Sequence, residues 1–129
     1  MTSDAHGDEQ ANAGQPAWLS ALPIAANAYV SSDEVEWREA KPGVFSKELL
    51  NSPDDGQRVV LARLLPGAYS PPHSHTELEH IYILEGGFHD GERWLGVGDY
   101  CVRAPGVEHT ATTEQGALTL VVYTPDPRA

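Results

Sequence analysis

The sequence predicts an all-β domain, a sandwich or barrel of short strands. Three observations carry that prediction. From Val35 onward the chain is a succession of short apolar or alternating runs, each cut by a turn signal. Its 12 Gly and 10 Pro in 129 residues supply turns at the density such a fold needs. No stretch shows the apolar spacing of a long amphipathic helix, a coiled-coil heptad or an internal repeat. Many short strands without intervening helices pack as two layers or close into a barrel.

Taken in order, residues 1–22 form a tail and an arm, and residues 23–126 form the barrel. Up to about residue 16 the chain is Asp, Gly, Gln, Asn, Ala and Ser without periodicity, which reads as a disordered tail. Trp18-Leu19-Ser20-Ala21-Leu22-Pro23-Ile24 is an arm suited to packing on the same barrel or on a neighbouring subunit. Val35–Arg38 and Val44–Leu50 read as the first two strands, with Lys41-Pro42-Gly43 between them. Ser52–Gly56 makes a turn, and Gln57–Leu65 follows as a half-buried strand ended by Pro66-Gly67. Glu79–Leu84 is a strand that Gly86-Gly87 should stop. Phe88-His89 and Glu92–Leu95 flank Asp90-Gly91, a dipeptide suited to the two positive φ angles of a type I′ hairpin. Asp99–Arg103 precedes the turn at Pro105-Gly106, and Leu118–Thr124 closes the domain.

Size and charge narrow the function. A chain of 129 residues with 40% hydrophobic content holds one core and one domain. The formal net charge of -11 repels phosphate backbones and anionic headgroups, so neither nucleic acid nor a membrane surface is an expected partner. No run approaches the roughly 20 apolar residues of a membrane span, and the acidic start MTSDAHGDEQ is not a signal peptide. Cys101 is the only cysteine, so no intrachain disulfide forms. A reducing, cytoplasmic setting is expected, with the Cys101 thiol buried and inert between Tyr100 and Val102.

One constellation carries chemistry. His73 and His75 stand two residues apart in Pro71-Pro72-His73-Ser74-His75, and on an extended chain residues so spaced face one side. Glu79 follows at the same parity, and His109 lies downstream of a Pro-Gly turn, where a returning strand can bring it to the same wall. Three neutral imidazoles and a carboxylate suit one borderline divalent ion, with Fe, Zn, Ni, Mn and Cu all compatible. Glu79 could instead bind substrate or water, leaving a site of three imidazoles. His80 has the opposite parity and should face outward, where it could sit at a subunit contact. His6, His89 and Glu77 read as solvated, and Trp37, Tyr82, Trp94 and Tyr100 as packing residues.

Gly67, five residues, His73-Ser74-His75, three residues, Glu79, six residues and Gly86 together resemble the first motif of the cupins. Gly98-Asp99 through Pro105-Gly106-Val107-Glu108-His109 resembles the second, with the usual eleven-residue step from Gly98 to His109. Two departures touch no ligand: the Pro stands one place later than usual, and Thr113 replaces a frequent Asn. Lys41-Pro42-Gly43-Val44, Leu65–Ala68, Ile83–Gly86, Gly98–Tyr100 and Glu114–Gly116 make the chain most similar to ChrR-type cupins, with His80 where that group carries a second acidic residue. The resemblance implies a double-stranded β-helix, or jelly-roll, barrel of the RmlC-like kind. It also implies metal ligation by His73, His75, Glu79 and His109.

Three functions follow from that resemblance. The first is a metal-dependent, dioxygenase-like enzyme acting on a small aromatic or dicarbonyl substrate inside the barrel. The second is a metal- or ligand-sensing module; the related anti-sigma factor carries a Cys-rich zinc domain, which a chain with Cys101 alone does not contain. The third is a barrel that the ion merely stabilises. An octahedral ion with four protein ligands keeps open positions and a tetrahedral zinc does not, so the ligand set alone does not decide among them. A homodimer is expected, through the arm or the outer face of Glu79–Leu84.

Overall fold

The computed structural model describes residues 27–128; the expected tail, the Trp18–Ile24 arm and His6 lie outside the described residues. Among the described residues nine strands follow one another: β1 (Arg38–Lys41), β2 (Val44–Ser52), β3 (Gln57–Leu64), β4 (Tyr69–His73), β5 (Leu78–His89), β6 (Trp94–Gly96), β7 (Tyr100–Arg103), β8 (His109–Thr112) and β9 (Ala117–Thr124). All pairings are antiparallel, and the order is β1-β2-β3-β9-β5-β8-β4, with β6 and β7 also on β5. The all-β jelly-roll expectation therefore holds.

β5 is the spine. Its first part pairs with β9 on one side and β7 on the other, while Gly87–His89 pairs with β6 and His89 reaches β8. The curved sheet is thereby folded over an interior built from Val60, Leu64, Ile81, Ile83, Phe88, Leu95, Val121 and Tyr123. Strict alternation places these residues. Along β9, Ala117, Thr119, Val121 and Tyr123 are buried while their neighbours are only half-buried.

Several expected elements take another form. Of the expected strand Val35–Arg38 only Arg38 is in a strand. Ser32–Glu34 forms a 3-10 turn, because Val35 N–H and Glu34 N–H close back onto the Ser32 and Ser31 carbonyls, and pairing starts at Arg38. Gly86-Gly87 does not stop β5. Gly86, at φ +65°, lies against the Gly116 carbonyl, where an added Cβ would come within 2.1 Å of the oxygen. The glycines thus allow β9 to approach through a register shift, and the strand continues.

Asp90-Gly91 does not make a two-residue type I′ turn either. Among the described residues only glycines have positive φ, so Asp90 stays in ordinary space. His89 pairs with Trp94 across a longer loop, in which the Asp90 carboxylate accepts from the N–H groups of Glu92 (2.8 Å) and Arg93 (2.9 Å). The partner strand is correspondingly Trp94–Gly96 rather than Glu92–Leu95. β4 and β8 are strands in segments where the turn and motif residues hid them.

Candidate metal centre

His73 ends β4 and His109 begins β8, and the two are register partners. The loop after β4 brings His75 to the same point. It is pinned there because the Gly106 N–H donates to the His75 carbonyl at 2.8 Å, so the Pro105-Gly106 turn holds both halves of the cluster. The three ring centroids lie 4.3, 5.1 and 5.4 Å apart, and one nitrogen from each ring falls within 4.8 Å of the others.

Backbone carbonyls set two of the tautomers. His73 Nδ1 lies 2.8 Å from the Pro71 carbonyl and His109 Nδ1 lies 3.2 Å from that of Val107. A carbonyl only accepts, so each Nδ1 carries the proton and each Nε2 keeps its lone pair for an ion. Burial lowers the pKa of His75 and of His109, against the opposing pull of the Glu79 charge, so both favour the neutral, ligating form.

Glu79, at the start of β5, faces the same point. Its Oε2 is 3.4 Å from His75 Nε2 and its Oε1 is 3.5 Å from His109 Nε2. Behind it the register lines up Arg58 of β3, Tyr123 of β9, Glu79 and Arg103 of β7 in one inward row. The Tyr123 hydroxyl donates to Glu79 Oε2 at 2.8 Å. Burial first, and then the charge of Glu79, push the Tyr123 phenol well above its usual range, so it remains a donor.

Arg103 Nε stands 3.3 Å from Glu79 Oε1, and its other arm pairs with Asp90 at 3.0 Å. Burial opposes the charge on Asp90, yet the Arg93 and Glu92 N–H groups and Arg103 keep it below the usual carboxylate range.

The donor set fits a metal ion. His75 Nε2, Glu79 Oε1 and Arg103 Nε are buried without a hydrogen bond among the described residues. His75 Nε2 and the Glu79 carboxylate lie 3.4 Å apart, beside the point that the imidazoles surround. Buried polar atoms are rarely left so in a finished interior, and an ion at this point would engage the imidazole and the carboxylate together. The cluster opens into a cavity of about 300 Å³ walled by Val44, Phe45, Val60, Ile81, Phe88 and Val121.

The four residues expected from the sequence are therefore brought together. His80 faces outward and its Nδ1 meets the Tyr100 hydroxyl. His89 is exposed, and its Nδ1 accepts from the Gly91 N–H. Trp37, Tyr82, Trp94 and Tyr100 are all partly exposed on the outside. Sequence reasoning missed Tyr123, Arg103 and Asp90. Alternation in β9 would have turned Tyr123 inward with Val121 and Thr119, whereas nothing local distinguishes Arg103 as a partner of Glu79.

Comparison with known proteins agrees with the fold. KdgF from Halomonas sp. superimposes with a TM-score of 0.67 at 26% identity, covering 76% of this chain and 94% of that one. The anti-sigma factor ChrR of Rhodobacter sphaeroides, solved with SigE, gives a TM-score of 0.62 at 27% identity over 70% of this chain and 50% of that one. A candidate acetylacetone dioxygenase from Methylibium petroleiphilum shares the fold at a TM-score of 0.70 and 17% identity, covering 79% of each chain. No curated protein matches the chain. The family model of the ChrR cupin-like domain matches residues 25–126, and the chain belongs to that family.

Proposed function

We propose that this chain is a metal-dependent cupin enzyme of the dioxygenase type, acting on a small enolisable dicarbonyl or phenolic molecule. His73, His75, His109 and Glu79 are the ligands in this reading. The observation that carries it is the placement of the cluster. The imidazoles and Glu79 face an apolar cavity of about 300 Å³, large enough for a small molecule beside an ion, rather than a filled core. A divalent ion held there supplies Lewis acidity toward a chelating oxygen pair and, for iron, redox capacity. The protein's own part is to present three imidazole nitrogens at one point, to hold Glu79 with Tyr123 and Arg103, and to exclude water with Val60, Ile81, Phe88 and Val121. We place the chain in the cytoplasm as a homodimer, formed through the partly exposed outer row of Tyr82, Leu84, Tyr100 and Val102.

The test is anaerobic reconstitution with ferrous iron, followed by oxygen uptake with a panel of β-dicarbonyls and phenolic ketones. Substrate-dependent uptake is expected, and it should vanish in His75→Ala. A second reading, a metal- or ligand-sensing module, is favoured by membership of the ChrR cupin-like family. Zinc that stays bound and leaves the protein inert after exchange for iron would select it.

A further inference from the structure

The cavity carries a charge opposite to that of the protein. The chain has 8 Lys and Arg against 19 Asp and Glu. Yet Lys41, Arg58 and Arg103 line this cavity, against only Glu48 and Glu79. Both carboxylates are occupied. Glu79 meets Arg103, Tyr123 and two imidazoles, and Glu48 accepts from Asn51 Nδ2 at 3.1 Å and has a further partner. Arg103 is likewise spent on Glu79 and Asp90. Lys41 and Arg58 have no carboxylate within ion-pair distance among the described residues. Arg58 instead covers the Tyr123 ring, 4.1 Å from its centroid.

Lys41 is the better placed of the two. Its Nζ donates to Ser70 Oγ at 3.0 Å. Ser70 is buried, at 6% exposure, and its hydroxyl proton has no acceptor among the described residues. Ammonium and hydroxyl together offer unspent donors beside one positive charge, the chemistry of an anion cradle.

The position is set by a bulge. Ser70 and His73 are three residues apart on β4, which would put them on opposite faces, but the register with β8 shifts between them and both line the cavity. At about 3.3 Å per residue the cradle lies at most about 10 Å along the wall from His73.

We propose that the ligand of this cavity is a carboxylate-bearing chelator, one end at the imidazole cluster and its carboxylate on Lys41 and Ser70. The inference rests on the dicarbonyl reading above and narrows it to anionic molecules with a few bonds between the two ends. It also gives the acidic surface a counterpart. A protein of net charge -11 repels anions in general and needs a local cationic point to hold one.

The test uses cobalt-loaded protein, whose visible absorption reports a chelator at the ion. It is titrated with heptane-2,4-dione and with 4,6-dioxoheptanoate, the same diketone bearing a terminal carboxylate. The wild type should prefer the carboxylate by about tenfold or more, as expected for a charge-assisted hydrogen bond. Lys41→Met should bring the two affinities within about twofold of each other, and Lys41→Arg should restore the preference. Equal affinities in the wild type, or a preference that survives Lys41→Met, overturn the proposal and leave the dicarbonyl reading standing. If neither diketone alters the spectrum, the dicarbonyl reading falls, and glutarate then decides on the cradle. Thermal stabilisation by glutarate that disappears in Lys41→Met supports it, and equal or absent stabilisation overturns it.

Discussion

Replacing Tyr123 by Phe removes one hydroxyl and leaves the ring in place. That hydroxyl is the hydrogen bond that the Glu79 carboxylate receives, at 2.8 Å, while Oε1 of the same carboxylate has none among the described residues. Arg103 stands 3.3 Å away as an ion pair, so the charge is not abandoned, but its best-aligned donor is lost. A hydrogen bond to a buried charged group is worth about 1.5–3 kcal/mol. Metal-free Tyr123→Phe should therefore lose about that much stability in urea, and about 4–8 °C of Tm for each kcal/mol.

The metal should report the same loss. A residue that orients a ligand typically contributes about 10–100-fold to metal affinity. Competition against a chromophoric chelator should show zinc or cobalt binding weakened to that degree, with stoichiometry still one ion per chain. Unchanged metal affinity alongside lowered stability would refute Glu79 as a ligand and leave the ion to the three imidazoles. Unchanged stability would refute the buried hydrogen bond itself.

The ligand assignment predicts that His75→Ala loses stoichiometric metal by elemental analysis while His80→Ala, whose ring faces out to Tyr100, keeps it; the reverse pattern would mean the β5 register is wrong. Burial lowers His75 and His109 from the ordinary 6.5, so on acidification the unfolded chain takes up protons first. Metal-free protein should accordingly lose stability as the pH falls through the ordinary histidine value of 6.5, and a urea midpoint that stays level or rises would contradict this. Gly98→Ala meets open space at φ +88° and should cost only the left-handed backbone, about 1–2 kcal/mol. Gly86→Ala adds a clash with the Gly116 carbonyl and should cost clearly more, and equal urea midpoints for the two variants would refute the close approach.

What the sequence made legible, and what it hid, follows from how far each feature depends on distant chain. His73, His75, Glu79 and His109 were readable because two-residue spacing and motif steps are local. Tyr69–His73 was not readable as a strand, since Pro71 and Pro72 argue against one. It is nevertheless a strand, at the end of the sheet order, where a missing N–H can be tolerated. The continuity of β5 through Gly86-Gly87 depends on Gly116, thirty residues downstream, and a local reading of two glycines gives a stop. The pairing of Arg103 with Glu79, and the bulge that turns Ser70 and His73 to one side, are facts of register that no single segment contains.

The inward row of Arg58, Tyr123, Glu79 and Arg103 also bears on the order in which the molecule comes together. Its members are drawn from four strands, with the first and last residues separated by most of the domain, and the imidazoles come from two further places. Each long closure must be completed before its contacts repay the entropy lost, which makes such topologies slow to fold. His73 and His75 are neighbours but His109 is thirty-four residues beyond His75, so the chain has little to offer an ion until β8 has joined β4 and β9 has joined β5. Metal capture is then a closing event of folding rather than its seed, and an ion supplied during refolding should slow unfolding far more than it speeds folding.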